Sequence, residues 1–170
     1  GQFIYTKPNF NNTDNTLATA ISSTTTDRIA DSGYKTTNLG FSLATKFEQY
    51  ENLFFRPEIA TSFENMKVST TASDSIFKQR GNYFDLYFNY TLDYDLRNQR
   101  YQTSEGSRNI FYQELPINSE NYELINSFES IKYKTYLSNM VAKISFFGKA
   151  ANSLNGEDVR LSKRLYVPGS

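Results

Sequence analysis

The stretch that most constrains this chain is residues 82–95, NYFDLYFNYTLDYD. Every second residue is apolar (Phe84, Leu86, Phe88, Tyr90, Leu92 and Tyr94), and between them stand Asp85, Tyr87, Asn89, Thr91, Asp93 and Asp95. Successive side chains of a strand point to opposite faces, so this period of two builds one wholly apolar face and one bearing three carboxylates. The apolar face is about as long as a tilted strand needs to cross a bilayer, roughly 9–11 residues. It begins and ends in aromatics, as membrane-interface girdles do. The pattern predicts a strand with Phe84, Leu86, Phe88, Tyr90, Leu92 and Tyr94 facing lipid, and with Asp85, Asn89, Asp93 and Asp95 facing a water-lined lumen. A soluble antiparallel sheet with one face on a core shows the same alternation. The rest of the chain has to separate the two.

Residues 2–6 read as a short strand with Phe3 and Tyr5 on one side, closed by the turn residues of 8–15. Residues 16–24 follow as a threonine-rich strand with Leu17 and Ile21 on one face, and then a long polar connection, 25–36. Residues 37–47 alternate cleanly, EQYEN turns the chain, and 53–67 place Leu53, Phe55, Ile59 and Phe63 opposite Arg56, Glu58, Ser62 and Glu64. Pro57 cannot donate to a ladder and predicts a bulge or an edge. A second long polar loop, 69–81, leads into 82–95, and the turn 96–106 leads out of it. Residues 107–115 form a strand of open facing, since Phe111 and Leu115 share one face and Ile110 and Tyr112 the other. After the linker 116–121, residues 122–137 start with Tyr122, Leu124 and Phe128 in one phase and end with Ile131, Tyr133 and Leu137 in the other, which predicts a bulge. SNM is a tight turn, 141–151 alternates again, and the tail from Asn152 is irregular and polar.

This predicts an all-β chain with no helix: an antiparallel up-and-down meander of about eight strands, residues 1–170 forming one segment of a transmembrane β-barrel. Turns near Asn11, Gln49 and Asn139 read as tight, and connections near Arg28, Asp74 and Gly156 as long and polar. Outer-membrane barrels sort their loops in that way, and a soluble sandwich has no reason to.

With no Cys and no His, the chain has no disulfide, thiolate zinc site, imidazole triad or histidine base. Eighteen basic residues balance eighteen acidic ones, so no charge surplus points to nucleic acid. Mean hydropathy is −0.59, and no apolar run approaches the roughly 18 residues of a transmembrane helix. That says little about a barrel, whose strands alternate lipid-facing and lumen-facing residues. The chain opens directly in GQFIYTKP, and is read as a mature form or an excised piece.

Asp85, Asp93 and Asp95 share a face, and alternate strand positions bring carboxylates within the range of an acid–base pair. Ion pairing across a polar lumen is the simpler reading. GKAANSLNG, 148–156, lacks the context of a phosphate loop, and the aromatics come without the basic groove of a base-stacking platform.

Residues 94–116, YDLRNQRYQTSEGSRNIFYQELP, carry Tyr94, Asp95, Arg97 and Gly106, and then Glu114 and Leu115. In these the segment resembles the BamA-like bacterial surface-antigen family, where a strand ends in Tyr-Asp-x-Arg, turns at a Gly and returns into a strand ending Glu-Leu. The terminal KRLYVPGS, with Arg164, Tyr166, Pro168 and Gly169, resembles the stem of that family's sixth extracellular loop, and YTKPNF its early periplasmic turn. The resemblance implies roughly the fourth to the eleventh of sixteen barrel strands, without the POTRA domains, the closing strands or the loop-six arginine. It implies an outer-membrane assembly factor that inserts nascent β-barrel proteins, with membrane lipid, those clients and accessory lipoproteins as partners. It implies neither enzyme chemistry nor a cofactor, and neither a nucleic-acid nor a small-molecule partner. A porin-like passive channel and a soluble β-sandwich or adhesin module are the alternatives.

Overall fold

In the computed structural model of the chain, residues 1–70, 72–120, 122–137, 140–156, 159–160 and 163 are described. The strands are β1 Gln2–Lys7, β2 Thr16–Arg28, β3 Tyr34–Tyr50, β4 Leu53–Val68, β5 Gly81–Asp95, β6 Gly106–Asn118, β7 Glu123–Leu137 and β8 Met140–Ser153. They form one antiparallel sheet in chain order, so the meander is as the alternation requires. Helix is confined to single turns within connections, Ile29–Ser32, Asp74–Phe77 and the 3-10 turn Phe10–Asn12.

Directly paired residues share a face, and the registers carry one face across the whole sheet. Phe3 pairs with Ile21, Ile21 with Phe41, Leu39 with Phe63, Phe63 with Phe84, Phe88 with Leu115, and Phe111 with Phe128. The opposite face curls inward. One groove of about 440 Å³ is lined both by Ile4 and Thr6 of β1 and by Arg108 and Ile110 of β6. Lys46 on β3 reaches over β4 to within 3.9 Å of Asp93 on β5.

Several expectations are corrected. The polar stretch 25–36 is mostly strand, because its threonines are β-branched and pair across β2 and β3 (Thr25 with Thr37, Thr26 with Thr36). Pro57 makes no bulge: β4 pairs continuously with β5 through Pro57–Tyr90, and the pairs at Thr45 and Lys46 are missing only from the β3 ladder. The missing proline N–H is thus absorbed on one side of an interior strand. β6 runs on through Pro116 to Asn118, with a register shift opposite Leu86 and Tyr87. The phase change in β7 is not a bulge, since its register with β6 is unbroken from Tyr133 to Ile125 and its one shift with β8 comes at its end, between Thr135 and Leu137. Ile125, Ile131 and Tyr133 therefore sit on the inward face, paired with Glu114, Arg108 and Gly106. The predicted sorting of loops also fails. One end joins strands through 8–15, 51–52, 96–105 and 138–139, the other through 29–33, 69–80 and 119–122, so both ends mix short and long.

The β5–β6 turn is built by side chains. Asn98 Oδ1 accepts the backbone N–H groups of Gln99 (3.0 Å), Ser104 (3.2 Å) and Glu105 (3.3 Å). Gly106 closes the turn at φ 103°, and a Cβ there would overlap the Leu96 carbonyl oxygen and crowd the Arg97 backbone at 2.8 Å. Gly106→Ala is expected to cost at least about 1 kcal/mol, read as a lower urea midpoint at unchanged slope. An unchanged midpoint would show that the turn relaxes without cost.

Candidate functional site

On the interior strands β4 to β7 the buried charged residues lie on the inward face, and the large exposed apolar side chains lie mostly on the outward one. On β5, Asp85 is 1% exposed and Asn89 5%, whereas Phe84 and Tyr94 on the other side are 41% and 40% exposed. Phe3, Leu39, Phe41, Ile59, Phe63 and Phe146 are likewise exposed outward, while on the edge strands β1 and β8 the inward side is exposed as well, at Ile4 (57%) and Phe147 (65%). Within the described residues no second sheet or long helix covers them.

Buried carboxylates need partners, and each aspartate of β5 on this face meets an arginine. Arg108 grips Asp93 with two bonds, Nε to Oδ1 at 2.8 Å and Nη2 to Oδ2 at 2.7 Å. Arg97 does the same for Asp95 at 2.7 Å each, which is the physical content of the Asp-x-Arg spacing. That bond raises the Arg97 pKa above the ordinary arginine value. Asn89 Nδ2 reaches Glu58 Oε1 at 3.4 Å.

Asp85 is held by residues from farther along the chain. Ser119 Oγ donates to its Oδ1 at 2.6 Å, and Arg160 Nη2 donates to its Oδ2 at 2.6 Å. Arg160 follows β8 in the chain, and its side chain lies in the concavity. Its guanidinium also donates to Tyr87 Oη (3.2 Å) and lies over the Tyr83 ring at 4.9 Å. Its backbone N–H donates to Glu123 Oε1 at 2.6 Å. Glu123 and Arg160 are 1% and 2% exposed. Burial acts to lower the Arg160 pKa, but the hydrogen bond and charge of Asp85 outweigh it and hold it above the ordinary value. A second anchor lies beside the first, where Lys163 Nζ meets Glu114 Oε1 at 2.7 Å and sits 4.4 Å over the Tyr87 ring.

These contacts hold Arg160 and Lys163 against the inward face. The β5 aspartates are engaged by guanidinium groups, and among the described residues no three potential metal ligands gather. Of the predicted residues, Phe84, Leu86, Phe88, Tyr90, Leu92 and Tyr94 lie together on the outward face, and Asp85, Asn89, Asp93 and Asp95 on the inward one. Tyr94, Asp95, Arg97 and Gly106 come together at one turn. Arg164, Tyr166, Pro168 and Gly169 lie outside the described residues. Sequence reading missed Arg160, Lys163, Glu123 and Ser119. Glu114 and Glu123 stand at polar-face positions of their strands, which is a usable signal, but Arg160 stands in an aperiodic tail and gives none.

Arg160→Met is expected to destabilise the fold by roughly 3–5 kcal/mol by leaving Asp85 and Glu123 buried without their cation. Adding Asp85→Asn should recover part of that, so urea unfolding of the four-member cycle should show coupling. Additive losses would mean the pair does not act as a unit. No family model matches the chain, and no curated protein matches it.

Proposed function

We propose that the chain is a wall segment of a transmembrane β-barrel in the bacterial outer membrane, and that this barrel belongs to an assembly factor for other β-barrel proteins. The observation that carries the membrane reading is the outward face. Among the described residues its charged side chains are Asp27, Lys35 and Lys67 at one end of the strands and Lys7, Lys132 and Lys134 at the other, with none between. Soluble monomers rarely expose apolar patches beyond a few hundred Å², because each large apolar side chain left in water forgoes roughly 1.5–3 kcal/mol. Hydrocarbon removes that penalty. From residue 84 to residue 94, ten steps of about 3.4 Å tilted at about 40° span about 26 Å, matching the about 25 Å apolar band of outer-membrane barrels.

The assembly role rests on the likeness of residues 94–116 to the BamA-like family, and the matched Asp95, Arg97 and Gly106 each have a physical task in the turn. No bond would be made or broken in this work. The barrel would lower the barrier to adding strands in a bilayer, where each unpaired backbone N–H or C=O costs several kcal/mol. Its partners would be membrane lipid, nascent outer-membrane proteins and accessory lipoproteins.

Phe88→Arg, in the centre of the outward face, should abolish bilayer integration, read as loss of heat-modifiable gel mobility and of protease protection, while Asn89→Lys on the opposite face should integrate normally. The reverse result would mean the faces are assigned the wrong way round. For assembly, vesicles carrying the parent protein should insert an unfolded outer-membrane barrel several-fold faster than empty ones. Ion conductance without that acceleration would favour a passive channel, and detergent-free solubility with one cooperative melt a soluble β-module.

A further inference from the structure

Resting on the membrane reading above, we infer that Lys132 and Lys134 on the outward face of β7 form a headgroup site for anionic phospholipid. Both occupy the outward phase of the strand: Lys132 pairs with Ser107 on β6 and Ile144 on β8, and Lys134 with Ala142. Their level is set by register. Tyr94, Asn109 and Ser130 form one outward row, and Lys132 lies one row beyond it toward the strand end. A basic side chain just past an aromatic girdle lies at headgroup depth, with its methylenes on the apolar wall and its ammonium in the polar layer. Lys134 Nζ is 5.9 Å from the Tyr136 ring, and Tyr136 is 63% exposed.

The two ends of the outward face differ in charge balance. At one end Asp27 neutralises Lys35 at 2.8 Å and leaves one basic residue, Lys67, in excess, whereas the other end carries Lys7, Lys132 and Lys134. At the other, neither Lys132 nor Lys134 makes a salt bridge among the described residues, and β5, β6, β7 and β8 carry no outward carboxylate. Asp93 and Asp95 stand on the opposite face and are taken by Arg108 and Arg97. Alternate strand residues are about 7 Å apart, so two ammonium groups can flank one phosphodiester. An anionic phospholipid supplies the counter-charge from the layer in which the lysines end, and its acyl chains continue down the wall past Ile144 and Phe146, which are 72% and 63% exposed.

The test reconstitutes the parent protein in vesicles of phosphatidylcholine alone or with phosphatidylglycerol, and counts lipids retained after gentle detergent extraction by native mass spectrometry. Phosphatidylglycerol should be retained over phosphatidylcholine by at least tenfold at low salt, about fivefold for each lysine, and less at high salt. Lys132→Gln/Lys134→Gln should lose that preference with heat-modifiable mobility unchanged, and Lys132→Arg/Lys134→Arg should keep it. Equal retention of the two lipids, or a preference that survives the double Gln variant, overturns the assignment. So does displacement by millimolar inorganic phosphate, which would make this a free-anion site. Integration into both vesicle types with no preference overturns the headgroup site alone, and failure to integrate into either overturns the membrane reading with it.

Discussion

Strict alternation of side chains along a strand forces every residue in the sheet onto one of two faces, and the rest of the structure follows from how this chain divides them. Among the described residues, eight strands in one meander have no second layer to share the burden. Curling the sheet shelters one face only, and here the sheltered face holds Asp85, Asn89, Asp93, Glu64, Glu114 and Glu123. That partition inverts the arrangement of a soluble sheet, where carboxylates take the water and phenylalanines take the core. It is physically sensible when the outer medium is less polar than the inner one.

Once the carboxylates are sheltered, their pairing governs the interior. Arg108 and Arg97 are close in sequence to the aspartates they hold, being on the neighbouring strand and in the adjoining turn. Arg160 comes from beyond the last strand, and places one cation between Asp85 and Glu123. A buried pair of this kind is poor evidence of added stability, because desolvation offsets most of the attraction, but losing one member is costly. Its consequence is positional: it fixes Arg160 against β5 and the start of β7. Lys163 on Glu114 repeats the device one step further along.

The outward face serves the proposed function by its uniformity. A wall that is apolar through the middle of the strands and charged only at their ends has its depth in a bilayer set by transfer free energy. Gln113 and Asn126 are the largest polar side chains near the middle of this face, beside Thr19 and Thr61, and Gln113 bonds both Asn126 and Tyr90, at 2.6 and 2.9 Å. Side-chain groups that must sit in an apolar medium are thus paired within the sheet.

What this sequence determined by itself was strand identity and facing, above all in residues 82–95, because period-two alternation is a local property that any sheet must obey. It also located the β5–β6 turn, whose Asp95, Arg97 and Gly106 act over short separations. It misread the threonine-rich end of β2, Pro57 and the apolar phase of β7, since strand ends and bulges depend on what a neighbouring strand offers in register. Only the tertiary structure decided which face was sheltered, because both solvents permit the same alternation and the answer lies in the curl of the sheet. Only it could join Arg160 to Asp85, since a contact between an aperiodic tail and a strand far upstream leaves no trace in local pattern.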